Sequence, residues 1–249
     1  AETLHEYYAR RGKELLVDRH AHIISKHWEE AGQLDQALSW LMRAAKYAES
    51  QQDFHGALEH LGSIHARLDA EHIDPDGELL LEVRLAQGRM FRFLGEFHEA
   101  EQILKAAVQE ARDVGDLVGE AFTNEALASL MVLMTCYETA RATYVEVKQL
   151  YQQFGEHRGQ LRCDLGLAEI ARFAGDYPRA QKIFGEVLEQ SITELGDHQL
   201  EARALFGQGQ CAYAEGALRD GTDLYRRARK LAETQNDILL CSEADIELA

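Results

Sequence analysis

The stretch "GEFHEAEQIL" at 95–104 returns as "CYETARATY" at 136–144, as "GDYPRAQKIF" at 175–184 and, more faintly, as "GALRDGTDLY" at 216–225. Aligning Gly95, Thr135, Gly175 and Gly216 gives separations of 40, 40 and 41 residues. Self-similarity at a fixed period of this length is the signature of stacked supersecondary units, each burying its apolar face against the next. A second marker runs in step with the first: "GDLVGEA" from Gly115, "GEHRGQL" from Gly155, "GDHQLEA" from Gly196 and "NDILLCSEA" from Asn236. Every unit thus carries two punctuation points about twenty residues apart.

Gly or Asn followed by Asp or Glu is the expected junction between two helices. The residue that ends a helix needs a left-handed backbone, and the one that starts the next needs a short acceptor side chain. Two antiparallel helices per unit follow. Between the junctions, apolar residues recur at helical spacing, as in Ala100, Leu104, Ala107, Val108 and again Ala140, Tyr144, Val147. Pro178 stands just after "GDY", in the first turn of its helix, where a missing N–H costs little.

The residues inside this frame resemble the second helix of a tetratricopeptide (TPR) repeat. They are Gly95, Phe97, Ala100, Leu104, Ala107; Tyr137, Ala140, Tyr144, Val147; Gly175, Tyr177, Ala180, Phe184, Val187; and Gly216, Leu218, Gly221, Tyr225, Ala228. The first helix adds a small-residue row of Gly88, Ala128, Ala168 and Gly209. The resemblance runs in register over 78–235. It departs from the family in its period of 40 in place of 34, in lacking Pro at the unit ends, and in having Gly221 where a packing Ala is usual. It implies an all-α, TPR-like solenoid of antiparallel helix pairs, about 11–12 helices in a right-handed superhelix.

Before residue 70 the spacing changes. "GQLDQALSWLMRAA" at 32–45 is followed only twenty residues later by "QDFHGALEHLGSI" at 52–64, so consecutive helices carry the pattern. The expectation is a helix ending near Ala31, one over about 35–49 and one over about 54–68. "AEHIDPDGE" at 70–78, with Asp74-Pro75-Asp76-Gly77, reads as a loop. The organisation expected is an N-terminal helical segment over 1–70, a loop over 71–77, four helix pairs over 78–235, and a capping or truncated helix over 236–249. Residues 15–110 also resemble the region that follows the nucleotide-binding core in STAND-type signalling ATPases, including cyclase-linked and transcription-regulator members. That resemblance implies a regulatory arm of a larger protein, with the alternative of a repeat arm that senses a small molecule.

The chain has 249 residues, 46% hydrophobic and 28% charged, with 2 Pro and 19 Gly, a balance that supports a helix-rich chain with a continuous core. Its formal net charge of −17, from 26 Lys+Arg against 43 Asp+Glu, repels nucleic-acid backbones and anionic membrane surfaces. Cys136, Cys163, Cys211 and Cys241 show no CxxC or framework spacing, as expected of reduced thiols in a cytoplasmic protein. No apolar run reaches the roughly 18–20 residues of a membrane span, and "AETLHEYYARRGKELL" lacks a signal-peptide core. The chain opens on Ala1, as a segment cut from a longer polypeptide or one trimmed of its Met would.

Catalytic and cofactor signatures are missing from the pattern. The Gly-Lys pair in "RRGKEL" at 10–15 lacks the first Gly and the Ser/Thr of a phosphate-binding loop. "GQGQCA" at 207–212 mimics a dinucleotide fingerprint but sits inside a repeat helix with no strand before it. His20, His22 and His27, and His55, His60 and His65, lack the i, i+4 spacing with Glu of a helical zinc site. No enzyme, metal or cofactor is expected.

The first helix of each TPR-like unit lines the concave side of a superhelix. Its rows at 40 or 41 residues are Arg92, Val132, Arg172, Tyr213; Phe93, Leu133, Phe173, Ala214; Glu82, Phe122, Arg162, Arg203; and Arg89, Ser129, Glu169, Gln210. In an acidic chain these rows are rich in arginine. Arg beside Phe or Tyr suits a protein or peptide partner with acidic and apolar residues, because guanidinium grips carboxylates and aromatics supply buried area. The competing reading pairs these arginines with Glu on neighbouring helices. The expected partner-binding residues are Arg89, Arg92, Phe93, Phe122, Arg162, Arg172, Phe173, Arg203 and Tyr213. TPR domains that clamp a chaperone's C-terminal carboxylate use Lys and Asn on this face, where this chain offers Leu85, Glu125, Leu165 and Phe206. The last helix, about 237–248, carries Ile238, Leu239, Ile246 and Leu248 at an end where a polar face is usual, which allows self-association.

Overall fold

The computed structural model describes residues 14–71, 77–235 and 237–249. The Gly-Lys pair of "RRGKEL", the Asp74-Pro75-Asp76 turn and Asn236 lie outside the described residues. Thirteen α-helices are present among the described residues, with no strand: α1 (Glu14–Arg19), α2 (Ala21–Glu30), α3 (Leu34–Ser50), α4 (Phe54–Glu71), α5 (Glu78–Leu94), α6 (Phe97–Val114), α7 (Leu117–Leu133), α8 (Tyr137–Phe154), α9 (His157–Phe173), α10 (Tyr177–Gln190), α11 (His198–Ala214), α12 (Leu218–Thr234) and α13 (Ile238–Leu248). The expected 11–12 is exceeded because His20, at φ −106°, separates α1 from α2, a break with no Gly or Pro to announce it. The chain divides into two compact units, Ala1–Ala126 and Leu127–Ala249.

The forty-residue frame is a frame of left-handed residues. Gly95, Gly115, Gly155, Gly175, Gly196 and Gly216 all have φ between 61° and 85°, and Thr135, which stands in register with them, has φ 61°. At most of these ends the backbone closes in the same way. The N–H of the left-handed residue bonds three residues back and the next N–H bonds five back, as in Gly95 to Arg92 (3.2 Å) with Glu96 to Phe91 (2.9 Å), and Gly175 to Arg172 with Asp176 to Ala171 (both 2.9 Å). This pair satisfies carbonyls that a helix end leaves without partners. The following acid then starts the next helix. Asp116 accepts from the N–H of Val118 and Gly119, Asp197 from Gln199 and Leu200, and Asp237 from Leu240.

One spacing is 41 because of a single added residue between Gly175 and Gly196. The chain absorbs it as one π turn over Ser191–Leu195 at the end of α10, so that Asp197 N–H reaches back six residues to Ser191 O at 3.0 Å.

Packing within each unit follows a small-against-large rule. In the first unit Gly88 of α5 lies under Leu104 of α6, where an added Cβ would come within 2.8 Å of the Leu104 side chain. Leu38, Leu41, Ala57, Leu61, Val83 and Met90 share the core of α3, α4 and α5. In the second unit Ala168 packs on Phe184 and Cys211, and Gly209 lies under Tyr225. Gly221, the departure from the usual Ala, is set by this contact. A Cβ there would stand 3.1 Å from Gly209 O and 3.3 Å from Tyr213 N, so α11 and α12 approach backbone to backbone. Each unit is thus a stack of TPR-like antiparallel helix pairs.

Candidate functional site

In the first unit α5 presents Arg89, Arg92 and Phe93. Arg89 reaches back to Glu49 of α3, Nε and Nη2 each standing 3.4 Å from a carboxylate oxygen. Two turns earlier, Lys46 of α3 donates to Glu82 of α5 at 3.0 Å. Between these two straps lies a cleft of about 90 Å³, floored by Met42, Ala45, Leu61, Leu85, Ala86 and Met90. At the end of α5 the Arg92 guanidinium stands 5.0 Å over the Phe93 ring, and Phe93 stacks on Phe54 of α4 with centroids 5.0 Å apart. Phe122, on the second turn of α7, is exposed.

The second unit repeats the arrangement at the end of α9. Arg172 stands 4.1 Å over Phe173, and Phe173 stacks on Tyr137 of α8 at 5.7 Å with 16° between the rings. Arg172 also bonds Glu169 on its own helix through Nε (3.0 Å) and Nη2 (2.5 Å). Arg162 lies 5.7 Å over Tyr151 and donates to its hydroxyl at 3.4 Å. Arg203 contacts Asp237 at 3.5 Å. Tyr213 is exposed at the end of α11, 6.4 Å from the buried Tyr225, which lies against Phe206. Burial pushes the Cys211 thiol beneath this cluster up to about 11, with the Arg172 charge pulling the other way. Burial also pushes the Tyr225 hydroxyl up, as does the Glu247 charge, with Arg172 pulling the other way.

The nine expected residues therefore do not form one level. Arg92, Phe93, Arg172, Phe173 and Tyr213 occupy the last turns of their helices, whereas Arg162 and Arg203 lie ten and ten residues earlier than Arg172 and Tyr213, about 15 Å along the axis. Both readings of the arginines have a place. Arg89, Arg172 and Arg203 each hold a carboxylate; pairs that keep contact with water, as those of Arg89 and Arg203 do, contribute about 0–1 kcal/mol and exchange with another acid, whereas Arg172–Glu169 is more enclosed. The sequence reading passed over Met42, Lys46 and Glu49. Carrying the rows one period back would have found Met42 and Glu49, which stand 40 residues before Glu82 and Arg89; Lys46 falls outside the rows.

Among the described residues no group of three His, Cys, Asp or Glu is placed to hold a metal ion. None of the described helices is long and apolar enough to cross a membrane.

Residues 164–234 match the model of the tetratricopeptide repeat, a repeat that generally mediates protein–protein contact. No curated protein matches the chain in sequence. Among solved structures the chain is similar to BtubC (BKLC) from P. vanneervenii, with TM-score 0.66 and 15% identity over 90% of this chain and 92% of that one. It is also similar to a putative kinesin light chain from Podosopora anserina with nearly identical TPR-like repeats (TM-score 0.51, 16% identity, 87% and 96% covered). A tetratricopeptide repeat protein from Parabacteroides merdae gives TM-score 0.50 at 15% identity, with 93% of each chain covered. At these identities the likeness is one of fold.

Proposed function

We propose that the chain is a non-catalytic protein-interaction module whose first-helix faces hold a partner protein or peptide carrying acidic and apolar residues. It serves as a scaffold or regulatory arm within a larger signalling protein. The observation that supports this most is the recurrence, in both units, of an arginine laid over an aromatic ring at the last turn of a first helix: Arg92 over Phe93 and Arg172 over Phe173. A partner carboxylate can take the place of the acid such a guanidinium already holds, as Glu169 on Arg172, while the ring beside it offers apolar area. Electrostatics favour the same partner, because these rows carry five arginines against Glu82 and Glu169 in a chain with 26 Lys+Arg against 43 Asp+Glu.

The experiment is co-precipitation from cell extract with the wild-type chain and with R92E/R172E, both shown by thermal melting to be folded. The reading expects bound partners to fall away in the variant. An unchanged set of partners would contradict it.

A further inference from the structure

The repeats supply an internal comparison at the corner where one helix pair hands over to the next. In the second unit the first two helical positions after the corner are polar and tie adjacent corners together. His157 contacts Glu194 at 3.0 Å, and Arg158 reaches Asp197 at 2.5 Å and Gln199 at 3.0 Å. The following corner again places His198 and Gln199 at these positions. In the first unit the same positions are Leu117 and Val118, 50% and 48% exposed, with Val114 beside them at 61%. The counterparts of Val114, Phe154 and Leu195, are 37% and 38% exposed. Leu81 of α5 abuts Gly119 at the same place, so apolar surface continues across two helices. Leu117 and Val118, about half in water where the next two corners use hydrogen-bonding residues, and beside them the more exposed Val114, mark an interaction surface.

The rim decides the occupant. Asp113 and Asp116 adjoin Val114 and Leu117 in the chain and have no ion-pair partner among the described residues; the former accepts from Gln109 and the latter from backbone N–H groups. The nearby cations are engaged, Arg112 with Glu120 at 2.6 Å and Arg84 with Glu110 at 2.7 Å. Two copies meeting corner to corner would bring like-charged rims together. Apolar residues return at Ile238, but there Arg203 pairs with Asp237, and Arg229 with Glu233 and Asp245.

The geometry points to a second interaction surface, the α6–α7 corner of Val114, Leu117 and Val118, which takes a basic amphipathic helix with an apolar stripe flanked by Lys or Arg. It is separate from the arginine-and-aromatic face and opposite to it in charge preference. The apolar stripe covers the three side chains, and the flanking cations meet Asp113 and Asp116.

The test is fluorescence anisotropy with two labelled helical peptides of the same apolar stripe, one Leu/Lys and one Leu/Glu, against the wild type and L117S/V118S. Titrations are run at physiological salt and at about 0.5 M, where long-range attraction to an acidic protein is screened. The expected result is Leu/Lys binding that weakens about tenfold or more in L117S/V118S at both salts. L117H/V118Q, which installs the pair of the His198 corner, is to behave like the serine variant and covers the case in which the serines unfold the helix. Equal binding by the variants, or equal binding of Leu/Glu, overturns the assignment. So does a doubled sedimentation mass that L117S/V118S abolishes, which would make a second copy the occupant. R92E/R172E leaves this corner intact, so the two surfaces fail separately.

Discussion

Arg172 holds its guanidinium 4.1 Å above the ring of Phe173, a helix-end aromatic that is itself stacked on Tyr137 of the preceding helix. F173A removes both contacts. The cation–π and stacking terms together amount to about 1–2 kcal/mol, so the variant is expected to melt a few degrees lower while remaining helical by circular dichroism. A melt indistinguishable from wild type would show that the stack contributes nothing to the fold.

Thr135 is left-handed at φ 61° where its counterparts are glycine. A β-branched residue there carries a steric penalty of about 1–2 kcal/mol, partly offset in glycine by backbone entropy. T135G is therefore expected to stabilise the chain by about 0.5–1 kcal/mol, and G175A to destabilise it by a similar or larger amount. Denaturant midpoints of the two variants test the opposite signs.

The backbone contact between α11 and α12 leaves little space at Gly221, where a Cβ would meet Gly209 O at 3.1 Å and Tyr213 N at 3.3 Å. Backbone cannot rotate away as a side chain can. G221A is expected to cost about 1–3 kcal/mol, the range of overpacked cores, although Ala is the usual residue of the repeat. A neutral G221A would mean that the helices separate freely.

Stability should fall on both sides of neutrality. Burial raises the Cys211 thiol from 9.0 to about 11, so the unfolded chain loses its proton first as pH rises. The contribution is intact below pH 9 and is lost between 9 and 11, up to about 2–3 kcal/mol. Burial, aided by His22, lowers His60 below 6.5, so the unfolded chain takes up its proton first as pH falls and stability drops below pH 6.5. Melting temperatures from pH 5 to pH 11 should show both limbs, shallower on the alkaline side in C211A and on the acid side in H60Q.

The helix junctions were legible because left-handed residues and capping acids have few chemical alternatives. Register alone exposed Thr135, whose residue type argues against its conformation. The helices expected over 35–49 and 54–68 are α3 and α4, and the terminal helix expected over 237–248 is α13. The π turn at Ser191–Leu195 was not legible, since one added residue could be absorbed anywhere between Gly175 and Gly196. Nor was the break at His20, which has no Gly or Pro. At the candidate site, the rows placed the arginines on first helices but could not choose their partners. Arg172 turns to Glu169 on its own helix, whereas Arg89 crosses to Glu49 of α3. That choice depends on side-chain reach in three dimensions, which periodicity does not encode.

The central claim is that the arginine-and-aromatic face selects acidic, apolar sequences. It is tested most directly by selecting a random peptide library on the immobilised wild-type chain and passing the enriched pool over R172E/F173A. Enrichment of peptides combining Asp or Glu with Leu or Phe is expected, and their loss on the variant. Absence of acidic, apolar peptides from the enriched pool, or their equal retention on R172E/F173A, would contradict it.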